Sequence, residues 1–137
     1  MEFSELIKPG MTNEDTSVVT EENLASHIGS GAARVLATPW LILFMERVSH
    51  RLIAQRVPEG YSSVGIEVNM RHLAATPLGG KVHVVAEVVA VEGAKVTLSV
   101  TAEDETELVG TCTHQRFIID EARFLKRVAA KSAKPSG

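Results

Sequence analysis

Glu46 is the first residue whose setting suggests chemistry. It directly follows six consecutive apolar residues in the segment ATPWLILFMERVSH, residues 37–50. Burying an unpaired carboxylate there would cost on the order of several kcal/mol or force its protonation. A structural explanation stays open beside the catalytic one: Glu46 could pair with Arg47, Arg51 or another neighbour where the segment leaves the core.

Two further polar residues, Thr38 and His72, could act with this carboxylate. His72 falls on the apolar face of an alternating segment, the face that should pack on the helix carrying Glu46. A carboxylate and an imidazole that meet in a dry place form an acid–base pair, although a lone histidine can also be structural. Thr38 is a candidate helix cap, and its hydroxyl would lie where helix N–H groups can hold an oxyanion. Eight residues of straight helix span about 12 Å, so Thr38 and Glu46 should not touch.

Other arrangements of reactive residues are poorer. Cys112 and His114 share one strand face, but nothing marks the thiol as activated, and a packed core cysteine is the simpler interpretation. The five histidines show no metal-ligand spacing with cysteines or acids, and the chain has no P-loop, strand-linked GxGxxG or GxSxG motif. The sequence therefore predicts neither a metal nor a bound cofactor.

The elements that must position these residues are one helix and a run of strands. Thr38-Pro39 is a good helix start, and the helix should run to about Val57 with its first half apolar on nearly every face. After Gly60 the period becomes two, with Val64, Ile66, Val68 and Met70 on the face of His72. Residues 81–119 predict three more strands joined at EGA and EDE, the segment EDTSVVTEE predicts a further one, and DEARFLKRVAAK predicts a closing helix.

These elements predict an α+β fold in which a curved antiparallel sheet wraps around the helix. The 137 residues suit a single domain, with residues 1–10 and 128–137 peripheral or frayed. Such a sheet has free edges that a second copy could cover. The net charge of −3 argues against nucleic acid, no apolar run approaches a membrane span, and the single cysteine favours a cytoplasmic location.

Three segments together, LATPWLILFME, VNMRHLAATPLGG and GTCTHQRFII, resemble the hotdog-fold thioesterases of the fluoroacetyl-CoA thioesterase type. The likeness covers roughly residues 10 to 125. Thr38, Glu46 and His72 fall on the threonine, glutamate and histidine that this family uses. By the same resemblance, Gly65 and Arg116 would line the acyl or thioester pocket; a strand glycine often marks a close approach or a bulge, and Arg116 could instead form a surface ion pair.

The resemblance implies hydrolysis of an acyl-CoA thioester by a homodimer, with sites near the subunit boundary and no metal or cofactor. Pro39 and Trp40 depart from the family, and the segment GSGAAR lacks bulky residues that could close over a very small acyl group. We therefore expect a short or medium acyl chain other than fluoroacetyl. A hydroxyacyl-thioester dehydratase, a non-catalytic acyl-CoA-binding protein and a tetramer of two dimers stay open as alternatives.

Overall fold

The computed structural model describes residues 2–132. Its elements, in chain order, are β1 (Thr12–Val18), α1 (Ala25–Ile28), α2 (Thr38–Ala54), β2 (Tyr61–His72), β3 (Lys81–Glu92), β4 (Lys95–Glu103), β5 (Leu108–Asp120) and α3 (Glu121–Ser132), with short 3-10 helices at Phe3–Glu5 and Glu21–Asn23.

The five strands form one antiparallel sheet in the order β1-β3-β4-β5-β2, and α2 packs across one face. Alternate residues of β4, and of β3 up to Val88, are buried against the helix, which gives these stretches a period of two; the pairing of β3 with β4 shifts register after Val88. Gly110 lets the helix come close to β5, because a Cβ there would lie 3.0 Å from Leu41 Cδ2 and 3.1 Å from the Arg71 carbonyl oxygen. The predicted α+β hotdog arrangement is confirmed.

The helix α2 begins as predicted but is not capped by Thr38. Ala37 occupies the cap position in an extended conformation with no side-chain cap hydrogen bond, and Thr38 is the first helical residue, followed by Pro39. The capping prediction is wrong because the Thr38 hydroxyl is 2.8 Å from Nδ1 of His72 instead. The helix ends at Ala54, a little short of the predicted Val57.

Strand β2 corrects the predicted packing of its apolar face. Ile66 is 51% and Val68 39% exposed, although both were predicted to pack on the helix. The pairing with β5 shifts register between Gly65 and Glu67, and β2 is the last strand of the sheet, so this stretch does not follow the regular pleat against the core.

The chain ends also differ from expectation. Ile7 is fully buried and Phe3 packs edge-on against Tyr61, so this part of the N-terminal segment packs on the core, whereas most other residues from Glu2 to Gly10 are exposed. The predicted closing helix is confirmed as α3, which extends to Ser132; the remainder of the predicted frayed tail lies outside the described residues. No helix within residues 2–132 has the length and apolar character that crossing a membrane requires.

Candidate active site

Glu46 is paired with a residue from the sheet and not with its helical neighbours. Its Oε2 lies 3.2 Å from Nη1 of Arg116 on β5. Arg47 stacks over the Trp40 ring and Arg51 pairs with Asp15, so the predicted pairing of Glu46 with either arginine is wrong. The Glu46 side chain is 35% exposed and that of Arg116 only 7%. The carboxylate therefore stands at the edge of the core with a buried cation behind it.

Arg116 is held in place by several acceptors. Its Nε donates to Ser63 Oγ at 2.9 Å, its Nη2 donates to the Ser63 carbonyl oxygen at 3.1 Å, and its Nη1 also lies 3.2 Å from His114 Nε2. Burial lowers the pKa of the Arg116 guanidinium, and the neighbouring Glu46 carboxylate partly opposes this. A guanidinium with these bonds has one orientation, so Arg116 fixes the carboxylate and is not the surface ion pair considered above.

Gly65 makes the ion pair sterically possible. A Cβ at this position would lie 2.7 Å from Glu46 Oε2 and 3.4 Å from both Arg116 Nη1 and His114 Cε1. Gly65 also begins the irregular pairing of β2 with β5. The bulge considered for Gly65 is thus present, and the group that comes close to Gly65 is the side-chain carboxylate of Glu46. A contact of Gly65 with the acyl or thioester group stays a prediction.

Gly65→Ala should displace the Glu46 carboxylate without unfolding the protein, because the first atom in its way is the end of a flexible side chain. Displacing a catalytic group by about 1 Å lowers a reaction rate on the order of 100-fold. We therefore expect kcat of the expected thioester hydrolysis to fall about 10- to 100-fold. Steady-state kinetics check this, with thermal unfolding as the folding control. In a Glu46→Gln background the same alanine should cost little further activity; an equal loss in both backgrounds would contradict this explanation.

Thr38 and His72 form a second polar pair at the start of α2. Thr38 Oγ1 and His72 Nδ1 are 2.8 Å apart, and the buried Nε2 atom of His72 has no hydrogen-bond partner among residues 2–132. Burial lowers the pKa of His72 below 6.5, and the backbone of Ala74 offsets part of this. A neutral imidazole is therefore available as a base, and its Nε2 can bind an atom of a ligand.

A cavity of about 360 Å³ opens beside this pair. Small and aliphatic residues line most of it, among them Val35, Leu36, Ala37, Leu73, Ala74 and Ala75. The chain before α2 brings only small side chains, Ala32 and Ala33, between Gly31 and Arg34. The cavity can therefore accept an apolar group larger than a two-carbon acyl unit.

The structure divides the three predicted catalytic residues into two groups. Thr38 contacts His72, whereas Glu46 contacts Arg116 beside Gly65. Along β2, the seven residue-to-residue steps from Gly65 to His72 span roughly 23 Å of extended chain. Within one chain, the carboxylate and the imidazole are thus too far apart to share a proton directly.

The remaining candidates are structural. Cys112 is buried, and burial raises the pKa of its thiol, so the prediction of a packed core cysteine is confirmed. Within residues 2–132, no three side chains of His, Cys, Asp or Glu are grouped so that they could hold a metal ion.

Two residues of the site, Ser63 and His114, were not predicted. His114 had a usable signal, because it precedes Arg116 by two positions and shares its strand face. Ser63 had none. Its contact with Arg116 depends on the register in which β2 pairs with β5, where Gly65 opposes Arg116.

Comparison with known proteins identifies the family of this fold and site. Residues 19–122 match the family model described as fluoroacetyl-CoA-specific thioesterase. The fluoroacetyl-CoA thioesterase of Streptantibioticus cattleyicolor is 35% identical over 103 residues, covering 75% of this chain and 73% of that protein.

Solved structures agree with this match. A point mutant of the fluoroacetyl-CoA-specific thioesterase, in complex with fluoroacetate and CoA, superposes with a TM-score of 0.82 at 30% identity, over 86% of this chain and 99% of that one. A hot-dog-like protein from Thermanaerovibrio acidaminovorans gives 0.89 at 26% identity, over 96% and 97%. The predicted hotdog fold and thioesterase class are confirmed, and the chain belongs to the family of fluoroacetyl-CoA-specific thioesterases.

Proposed function

We propose that this protein hydrolyses the thioester bond of a short- or medium-chain acyl-CoA to the free acid and CoA. The observation that carries the proposal is the fixed carboxylate of Glu46, with Oε2 bound by Arg116 and Oε1 bound by no described residue. A positioned carboxylate can serve as base or nucleophile toward a thioester without a metal or bound cofactor. The buried free thiol of Cys112 suits a cytoplasmic location for this reaction.

The cavity beside Thr38 and His72 supports an acyl chain longer than fluoroacetyl. Its volume of about 360 Å³ leaves room for several methylene groups beside the aliphatic part of its lining, while Ser30, Thr38 and His72 make the rest polar. The segment GSGAAR before α2 carries no bulky apolar residue that could close over a two-carbon acyl group. We therefore place the acyl chain here and propose that chain length, rather than recognition of fluorine, governs selectivity.

The exposed edge of β2 supports a homodimer. Ile66 and Val68 expose apolar side chains along this edge, beside the charged residues Glu67 and Arg71, and β2 has no pairing partner on that side among residues 2–132. Antiparallel pairing of β2 with its own copy would satisfy the edge and give a symmetric dimer.

Such a dimer would also bring the two polar groups together. If β2 pairs with its copy about an axis at Val68, Gly65 of one protomer lies opposite the partner subunit's Arg71, one residue from the partner subunit's His72. Neighbouring strands are about 5 Å apart, so Glu46 of one protomer would reach a substrate held by Thr38 and His72 of the other. We propose that each active site is composite in this way.

At the composite site, hydrolysis converts the thioester to the free acid and CoA thiol by one of two routes. In the first, Glu46 takes a proton from a water that adds to the thioester carbonyl and displaces the CoA thiolate. In the second, Glu46 attacks the carbonyl, the CoA thiolate leaves as an anhydride forms, and water then opens the anhydride to the acid and free Glu46. The oxyanion can bind at the start of α2, where the Thr38 N–H has no acceptor among residues 2–132. Pro39 has no N–H, and the N–H groups of Ala37 and Trp40 donate to the carbonyl oxygens of Asn23 and Ala37. His72 beside the Thr38 hydroxyl can orient it or return a proton to the leaving sulfur.

Release of free CoA thiol from acyl-CoAs of increasing chain length tests the proposed reaction. Because Cys112 is the only cysteine and is buried, thiol reagents will report CoA. We expect turnover that is highest for a short or medium chain. Hydration of an enoyl-CoA without thiol release would favour a dehydratase, and binding without any turnover would favour a non-catalytic acyl-CoA-binding protein; either result would overturn the proposal.

Val68→Lys should break the dimer and with it the activity. A lysine at the centre of the proposed two-fold pairing would oppose its own copy, and like charges directly opposite each other destabilise paired strands. We expect a shift from dimer to monomer in light scattering, with loss of turnover. Val89→Lys, which replaces a similarly exposed valine on β3, should leave both properties unchanged. A Val68→Lys protein that remains an active dimer would contradict pairing along β2.

A further inference from the structure

His114 is a buried histidine for which the proposed reaction has no direct use. It is 1% exposed on β5, two residues before Arg116. Its Nδ1 lies 2.8 Å from the backbone oxygen of Glu67, and its Nε2 lies 3.2 Å from Arg116 Nη1. Both ring nitrogens are therefore engaged, one by a pure acceptor and one by a pure donor.

These two contacts define the protonation state of the ring. A carbonyl oxygen can only accept, so Nδ1 must carry a proton. A guanidinium N–H can only donate, so Nε2 must present its lone pair. An imidazolium would instead direct an N–H at the guanidinium. The geometry thus selects the neutral Nδ1–H tautomer, and burial together with the Arg116 charge favours the neutral ring by lowering the pKa of His114, against weaker opposition from the Glu67 carbonyl and Glu46.

The contact with His114 completes the fixation of Arg116. Of the five guanidinium N–H bonds, one points to Ser63 Oγ, one to the Ser63 carbonyl oxygen, one to Glu46 and one to His114. Nη1 alone serves both Glu46 and His114. Because both Nη1 hydrogens lie in the guanidinium plane, accepting one at His114 directs the other at the carboxylate.

We propose that His114 is a positioning residue that, as a neutral hydrogen-bond acceptor, orients Arg116 and through it the carboxylate of Glu46. The proposal rests on the proposed function, since it concerns the geometry of the same site. It assigns His114 no contact with substrate and no transfer of protons.

A matched pair of variants tests the role of the acceptor. His114→Gln can place an amide oxygen where Nε2 was, whereas His114→Met has similar length but ends in a methyl group. We expect His114→Gln to retain kcat within about threefold, and His114→Met to lose about 10-fold or more in kcat with KM little changed, because a hydrogen bond to a charged group is lost. Equal kcat in the two variants would overturn the proposal.

Nuclear magnetic resonance provides a readout that does not depend on activity. In the wild-type protein, ¹⁵N spectra should show His114 protonated at Nδ1 and unprotonated at Nε2 at neutral pH. The Nη hydrogens of Arg116 should exchange slowly in the wild type and in His114→Gln, and about 10-fold faster in His114→Met. An Nε2–H tautomer, or unchanged Arg116 exchange in the methionine variant, would overturn the proposal.

The two readouts separate the possible failures. If the wild-type protein releases thiol from no acyl-CoA, the proposed function fails, and the tautomer and exchange measurements still decide the role of His114. If His114→Met does not fold, the wild-type tautomer and the activity of His114→Gln decide it. An Nε2–H tautomer or a 10-fold loss in the glutamine variant would then count against positioning.

Discussion

Glu46→Gln should lower kcat for acyl-CoA hydrolysis by about 1,000-fold, the loss typical of removing a catalytic base or charged group from a preorganised site. Glutamine has the size of glutamate, and its side-chain oxygen can still accept from Arg116, so the fold and the dimer should persist. It lacks the charge that could activate water or attack a carbonyl. The measurement is the release of free CoA thiol at saturating substrate.

The control for this variant is Glu87→Gln, which neutralises an exposed glutamate of β3. It should hydrolyse the same substrates at the wild-type rate. Thermal unfolding and light scattering establish that both variants keep the fold and the oligomeric state of the wild-type protein. Glu46→Gln with a kcat within threefold of wild type would remove the glutamate from the mechanism.

His72→Gln should lower kcat by about 100- to 1,000-fold, in the range observed when a general acid–base residue is removed. The amide cannot act as a base toward Thr38, and it cannot return a proton to the leaving group. Because burial holds the pKa of His72 below 6.5, its neutral form prevails at pH 7. The wild-type rate should therefore be constant above about pH 7 and fall as the pH drops through the lowered pKa.

The His72→Gln variant should lose the part of the acid limb, the fall in rate at low pH, that protonation of His72 causes. His27→Gln, on the exposed helix α1, is the matched control and should keep both rate and pH profile. If His72→Gln retained the wild-type rate and the wild-type acid limb, the Thr38–His72 pair would be structural.

The fold could be predicted from the sequence because the spacing of apolar residues changes clearly between the helix and the strands. β4, and β3 as far as Val88, alternate between buried and more exposed residues, since one face meets α2 and the other faces away from it. The predicted packing of β2 on the helix was wrong for a physical reason. The alternation of apolar residues continues through Ile66 and Val68, but these residues lie on a free edge of the sheet. An edge that a second chain would cover has the composition of a buried strand, so pattern alone cannot separate the two.

The candidate site was predictable as a set of residues but not as an arrangement. The unusual position of Glu46 was evident from the apolar run before it. Its partner was not, because Arg116 follows it by 70 positions and meets it only through the packing of α2 on the sheet. The division of Glu46 from Thr38 and His72 also depends on how β2 runs beneath α2, and no local spacing encodes that.

The most direct test of the composite site is complementation between the two variants with the lowest predicted kcat, Glu46→Gln and His72→Gln. A heterodimer of one Glu46→Gln chain and one His72→Gln chain, isolated with two different affinity tags, has one site carrying both substitutions and one carrying neither if the site spans two subunits. We predict roughly half of the wild-type activity per dimer, since one of two symmetric sites is intact. If each site lay within one chain, both would carry a substitution, and a heterodimer no more active than its parents would contradict the account.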